Sequence, residues 1–387
     1  MKIKDIKLFT IKAGWKPWSF LKIETNSNLV GWSETTDTFG NENGFKGILK
    51  DYKNILIGED PIQINKLIWK LETTTKSNSG SLVQRVIAGI ENALWDINGK
   101  FCNRPVYELF GGKVRDKIEL YWSHCGTTRV RNSKEAKKPK INNLADIKKF
   151  GKEVKKSGFK TIKTNIALFD KDSSIYMPGH KYQLNNPSLK MSSEVLSGIE
   201  FWISSLQKSI GKNISIALDL NFNFKLVDLK KICKRLEKYN LKWIEIDNID
   251  SKVLTHLRKE TSIPLVSCET LDKVISYKPY LENKSLDYAS IDTIWIGFGA
   301  SKKISDLCNL YDTNITTHNY NGYLGTLING HLGSIIENFF IGELDFDEPP
   351  GIKSIFSDNL NIHDGFLKLN NKPGWGCDII EKNLKNY

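Results

Sequence analysis

No Cys-x-x-Cys pair occurs among the six cysteines, Cys102, Cys125, Cys233, Cys268, Cys308 and Cys377, and none clusters with another. That scatter excludes a thiolate zinc site and a disulfide framework, and leaves the thiols as small buried hydrophobes. No run approaches the roughly 20 apolar residues that span a bilayer, so no membrane partner is expected. The N-terminus, MKIKDIKLFTIKAGW, alternates charged and apolar residues as a strand does and lacks the apolar core of a signal peptide, which gives the expectation of a cytoplasmic protein. Short repeats and low-complexity tracts are also missing. What abounds is positive charge: 56 Lys and Arg against 44 Asp and Glu leave a formal +12. These cations run along the whole chain without forming one face, so nucleic acid is not an expected partner. The densest run, Arg129 to Lys140 (RVRNSKEAKKPK), reads as a solvated loop that would draw in anions only if it bordered an active site.

At 387 residues the chain has room for a barrel of roughly 250 residues and a smaller domain. Residues 1 to 115 read as strands (IKLFTIK, FLKIET, LVGWSET) followed by helix. In SLVQRVIAGIENALWDINGK the apolar positions Leu82, Val83, Val86, Ile87, Ile90, Leu94 and Ile97 recur every three or four residues and predict one buried helical face. Further on, eight β-rich runs alternate with amphipathic, lysine-decorated segments: IELYWSH (118–124), TIKTNI (161–166), ISIALDL (214–220), KWIEID (242–247), PLVSCE (264–269), YASIDTI (288–294), NITTHN (314–319) and FFIGEL (339–344). That alternation predicts an α/β fold of the (β/α)8 barrel type, with the longest connections, 125–145 and 167–195, as loops that shape a pocket.

Asp219, Glu245, Glu269, Asp292, His318 and Glu343 recur at intervals of about one βα unit, near the ends of successive strands, and so converge on one mouth of the barrel. Acids on consecutive strands repel one another in a partly dry site. A hard divalent cation resolves the conflict, and Mg²⁺ suits an all-oxygen shell that leaves places for substrate.

GIENALWDINGK with RPVYELFGGKVRD, then DLNFNF, WIEID, PLVSCET, SIDTIW and TTHNYNG, taken in that order, resemble the mandelate racemase family of the enolase superfamily. The resemblance runs to the PGWG near residue 375. It implies a (β/α)7β-type modified TIM barrel over 116–355, an α+β capping domain over 1–115 and a C-terminal segment, 356–387, that packs back on the cap. It also implies Asp219, Glu245 and Glu269 as Mg²⁺ ligands and His318 as the general base, oriented by Asp292. Lys163 would help hold the substrate carboxylate, and Glu343, protonated in the complex, would donate a hydrogen bond to it. Relatives assemble as dimers or octamers, which makes a homo-oligomer the expectation.

The family's racemases and many of its dehydratases carry Lys-x-Lys on the second barrel strand; this chain has Lys163, Thr164 and Asn165. Asn165 cannot take a proton at neutral pH, so a two-base racemase is disfavoured. A single base suffices for syn elimination of a β-hydroxyl, and the expected reaction is dehydration of a small-molecule sugar acid to a 2-keto-3-deoxy acid. The rivals are epimerisation or cycloisomerisation through the same enediolate, and a silent barrel that only binds. Asn165, Asn221, His124 and Asn319 are candidate substrate contacts at the mouth, together with Trp15, Lys16 and Trp18 from the loop AGWKPWSF; Asn321 and His180 are further candidates. His256, His331 and His363 read as structural or solvated. Cys268, next to Glu269, should face the packing layer rather than act as a nucleophile.

Overall fold

A computed structural model describes residues 1–35, 41–78, 80–178, 189–247 and 249–386. The first 34 residues form an antiparallel meander: β1 (Ile3–Ala13), β2 (Lys16–Thr25) and β3 (Val30–Glu34). The β1–β2 turn closes on the pair Ala13↔Lys16, where Gly14 takes a left-handed φ of +74°. Three helices follow, α1 (Glu42–Leu56), α2 (Ile64–Thr74) and α3 (Ser81–Phe101). Ile6, Leu21, Ile23, Leu49, Leu67, Leu71 and the α3 residues Val86, Ile87, Ile90, Leu94 and Ile97 make this domain's own core.

The predicted single buried face of α3 is only half of what the helix hides. Its opposite side buries Glu91, Asn92 and Asp96 against the barrel, so α3 lies between two cores. Each of those polar groups has a defined partner, as burial demands. Asn92 accepts from the Phe298 N–H (2.9 Å) and donates to the Thr293 carbonyl (2.9 Å), Glu91 accepts from the Gly299 N–H (2.8 Å), and Asp96 accepts from the Trp32 and Trp375 N–H groups (2.8 and 3.0 Å).

All eight predicted barrel strands are present: β4 (Ile118–Ser123), β5 (Thr161–Thr164), β8 (Ser215–Asp219), β9 (Trp243–Glu245), β10 (Leu265–Ser267), β11 (Tyr288–Ile291), β12 (Asn314–Thr317) and β13 (Phe339–Asp345). They pair in parallel in that order, and β13 closes on β4 through Glu343↔Tyr121. Seven long connecting helices, α6 (Leu144–Lys156), α7 (Ser193–Ile210), α8 (Leu226–Leu236), α9 (Ser251–Arg258), α10 (Val274–Glu282), α12 (Phe298–Leu310) and α13 (Tyr323–Ile335), cover the outside. β13 is followed instead by the small hairpin β14 (Ile362–His363) and β15 (Phe366–Leu367), which pairs antiparallel with β4, giving the (β/α)7β arrangement.

The connections read as plain loops carry structure of their own. Residues 125–145 hold the short helix α5 (Thr127–Arg131), and 167–195 hold the hairpin β6 (Ala167–Phe169) and β7 (Ser173–Ile175). The C-terminal segment reaches α3, where the Trp375 indole N–H donates to the Asn92 carbonyl (3.0 Å). His331 is structural, as read: it accepts from the Tyr107 N–H and meets Trp375 edge to face, and burial pushes its imidazole down to about 3. No helix among the described residues is long and apolar enough to cross a membrane.

Candidate active site

Alternate residues of a strand face the same way, and that geometry builds the site. Tyr121, Ala217, Trp243, Val266 and Ile341 plug the barrel interior. Two residues on from four of them come Ser123, Asp219, Glu245 and Glu343; two further along β9 comes Asp247. The hydrophobic plug is thus a dry floor with a polar layer directly above it.

β10 departs from this rule. With Val266 inside, simple alternation would send residue 268, not 269, into the mouth. Cys268 instead takes a left-handed backbone, φ +94°, which resets the alternation: its thiol joins the outer core and Glu269 lines the cavity. The expected outward Cys268 is observed, but a backbone reversal puts it there. Asp247 braces the turn, accepting from the N–H groups of Cys268 (2.9 Å) and Glu269 (3.3 Å) and from the Ser267 hydroxyl (3.3 Å).

A cavity of about 490 Å³ opens above this layer, within the size range of small-molecule sites. His124, Lys163, Asn165, Asp219, Asn221, Glu269, His318 and Glu343 line it, as expected, together with Arg85, Arg131 and Trp295, which sequence reasoning missed. Asn165 donates to the Asn221 amide oxygen (3.2 Å), so the residue that replaces a lysine is tied to its neighbour across the strands. Asn319 is buried, its amide donating to the Thr326 hydroxyl (2.8 Å) and its N–H to Glu343 Oε2 (2.6 Å).

The three residues expected from the 13–20 loop do not line the cavity. Lys16 is buried, its ammonium donating to the carbonyls of Tyr320 (2.6 Å) and Asn321 (2.8 Å), and Trp18 is a core residue bonded to the Ala13 carbonyl (3.1 Å). Trp15 is half-buried beside them. A cation and one indole fasten the cap to the barrel loop that follows His318, Lys16 through its hydrogen bonds and Trp18 by packing on Gly322. His180 lies outside the described residues. Arg129 corrects the reading of its run as solvated: it is buried and paired with Asp347 (2.9 Å) and Glu153 (2.7 Å).

On one side of the mouth, His318 Nδ1 is 2.8 Å from Asp292 Oδ2, while its Nε2 is 3.5 Å from Glu269. Asp292 is fully buried at the N-cap of α11 (Thr293–Ile296), accepting from the Ile294 and Trp295 N–H groups (2.8 and 3.1 Å) and from the Asn321 amide (3.1 Å). Burial works against a charged imidazole, but Glu269 and Asp292 outweigh it and push His318 up to about 10. Nε2 is therefore the end that faces the cavity, and the bond at Nδ1 fixes which nitrogen that is.

On the other side lie the acids. Glu245, Asp247 and Glu269 place one oxygen each within 4.8 Å of one another. Burial and mutual repulsion raise all three: Glu269 well above its ordinary range, Asp247 to about 7. Glu245 is 1% exposed, and among the described residues its Oε1 has no hydrogen-bond partner. A buried orphan oxygen beside two strained carboxyls fits a hard divalent cation. The close trio includes Asp247, which was not expected, and leaves Asp219 beside it, 3.7 Å from Lys163, paired with Glu245 across the strands and raising the pKa of all three acids. The signal was available, since Asp247 follows Glu245 at the strand spacing of two.

Lys163 joins the two sides. It is 2.9 Å from Glu245 and 3.0 Å from Glu343, and although burial opposes its charge, those carboxylates hold its pKa well above normal. Burial would raise Glu343 as well, yet Lys163 and His318 bring it below the usual carboxylate range. These surroundings favour the carboxylate form of Glu343, which accepts from the Asn319 N–H and the Ser123 hydroxyl.

A modified barrel whose mouth joins a carboxylate cluster to an Asp–His pair defines an enolase-type enzyme. The model of the mandelate racemase / muconate lactonizing enzyme N-terminal domain matches residues 6–111, and that of the enolase C-terminal domain-like region matches 147–383; the chain belongs to this family. It is 27% identical to a D-galactonate dehydratase family member of Enterococcus gallinarum, over 98% of this chain and 92% of that one. Identity to a D-xylonate dehydratase of Haloferax volcanii is 26%, over 98% and 87%. A solved structure from Burkholderia xenovorans LB400, provisionally named an L-alanine-DL-glutamate epimerase, superposes with a TM-score of 0.97 at 32% identity, over 100% of this chain and 98% of that one. The same protein is also known bound to magnesium and fumarate, with a TM-score of 0.96.

Proposed function

We propose that this enzyme is a magnesium-dependent sugar-acid dehydratase in which His318 is the only base. The carrying observation is asymmetry: His318 Nε2 faces the cavity with Asp292 behind it, while the opposite strand offers Asn165 and a Lys163 held charged. Epimerisation needs a proton acceptor and a donor on opposite faces, and Asn165 can be neither. The dehydratase names of the Enterococcus and Haloferax relatives support elimination. Residues that fit magnesium are Glu245, Asp247 and Glu269, with Asp219 adjacent on β8; the magnesium bound by the Burkholderia relative supports the choice of ion. When bound, magnesium supplies Lewis-acid stabilisation of charge that builds on the substrate carboxylate.

The chain's own residues do the rest. Lys163 sets a fixed positive charge beside the acids, where the substrate carboxylate is to bind. His318, a base only when Glu269 no longer confronts it as a free anion, takes the proton from the carbon next to that carboxylate. The electron pair of the broken C–H bond forms a C=C bond as the β C–O bond breaks. His318 returns its proton to the departing hydroxyl on the same face, releasing water and an enol that tautomerises to the 2-keto-3-deoxy acid. Asp292, held by two N–H groups and Asn321, stabilises the transient imidazolium. The test is incubation with Mg²⁺ and a library of aldonic and aldaric acids, with 2-keto acid trapped by semicarbazide. Formation of 2-keto acid is expected; α-proton exchange in deuterium oxide without it would replace dehydration by epimerisation.

A further inference from the structure

Two arginines on α5, two residues apart, meet opposite fates. Arg129 is matched by two carboxylates. Arg131 lines the active-site cavity; among the described residues its one hydrogen-bond partner is the thioether of Met177, 3.4 Å from Nη1, and its Nε is buried with no partner. A thioether is a weak acceptor, so this half-buried guanidinium, though within the field of Asp345, makes no hydrogen bond to a carboxylate among the described residues and keeps donors for a ligand anion. Nothing in the proposed proton transfer uses it.

Its position in the ring matters. α5 follows β4, and β4 lies four strands from β10 in the closed eight-stranded order, directly across the mouth from the arc that carries Glu269. A ligand whose reacting carboxylate rests at the acid arc therefore extends toward β4. His124, kept neutral by burial and by Arg131, stands beside that route and lines the same cavity.

We infer that the substrate carries a second carboxylate and that Arg131 receives it: the enzyme acts on an acid sugar with a carboxylate at each end, an aldaric acid, in preference to the matching aldonic acid. A guanidinium forks onto the two oxygens of a carboxylate, which gives selectivity as well as attraction. The inference rests on the dehydratase reading for where the first carboxylate binds, but it is separable from it by experiment.

Two measurements decide. In steady-state kinetics on aldaric and aldonic acids of the same hydroxyl configuration, kcat/KM for the diacid should exceed that for the monoacid by at least about tenfold. Arg131→Gln should bring the ratio close to one and Arg131→Lys should restore part of it. A preference for the monoacid, or for a 6-phospho aldonic acid over the diacid, overturns the inference, as does a ratio unmoved by Arg131→Gln. Calorimetry in Mg²⁺ with the unreactive pair adipate and hexanoate needs no turnover. Tighter binding of adipate, lost in Arg131→Gln, sustains the inference even if no acid is dehydrated, which would sink only the dehydratase reading; equal binding of the two overturns the inference whatever the turnover.

Discussion

The two arcs of the barrel mouth are equally buried and built in opposite ways. On the β11–β13 arc the two carboxylates nearest His318 have their donors: Asp292 has Ile294, Trp295 and Asn321, and Glu343 has Ser123, Asn319 and Lys163. On the β8–β10 arc, Glu245, Asp247 and Glu269 crowd together with raised pKa values and an orphan oxygen. One arc is finished by the fold; the other is finished only by something the fold does not contain. Pre-organisation at the first suits the proposed base, and crowding at the second suits the magnesium proposed for it.

The comparison breaks most visibly at His318. His318→Asn should lower turnover by ~10²- to 10⁴-fold while Mg²⁺ binding, followed calorimetrically, is kept; retained activity would remove the base assignment. Next in size is metal-linked stability. At a hundredfold excess over Kd, Mg²⁺ should stabilise the wild type by about 2.7 kcal/mol. Glu269→Gln should lose most of that gain and Asp247→Asn a substantial part, read as thermal shifts with and without chelator. An Asp247→Asn shift equal to wild type would show that Asp247 only braces the Cys268 turn.

A smaller effect follows from pH. Carboxyls raised in the folded state, such as Asp247 at about 7, keep protons that the unfolded chain has already released above pH 4, and His318, raised to about 10, does the same above its ordinary 6.5. The folded state then binds more protons, so metal-free stability should fall as pH rises from 5 to 8. Mg²⁺ should flatten that slope without abolishing it, because Glu91 (about 7) and Glu348 (about 8) are raised by burial outside the acid arc. A rising slope in the metal-free protein would contradict the picture of a frustrated arc. Smallest is Lys16→Met, which should cost about 1–3 kcal/mol of stability through two unpaired carbonyls. Its effect on KM should be slight; a large rise would return Lys16 to the substrate.

Periodicity carried much of this to the sequence level. Eight β-rich runs became eight strands, and functional side chains one βα unit apart became neighbours, because strand ends in a barrel converge whatever the loops do. What stayed hidden depended on backbone detail or on partners distant in sequence. The reset at Cys268 has no residue signature, since a cysteine at positive φ is not foreseeable. Arg129 and Arg131 share one basic run, and only the folded chain brings Asp347 and Glu153 to the first and leaves the second facing the cavity. Trp18 and Lys16 looked like substrate contacts because an exposed-looking loop gives no hint that it is pinned to Tyr320 and Asn321.

α3 gives the cap and the base a common joint. Arg85 on that helix lines the cavity and stacks on Trp295, 3.8 Å from its ring, and the same ring lies 4.7 Å from the imidazole of His318. Seven residues on, Asn92 grips Thr293 at the start of the short helix that Asp292 caps and Phe298 just beyond its end. A change in how α3 seats itself is therefore transmitted, through Trp295 and the short helix, to the position of the His318 ring proposed as the proton acceptor.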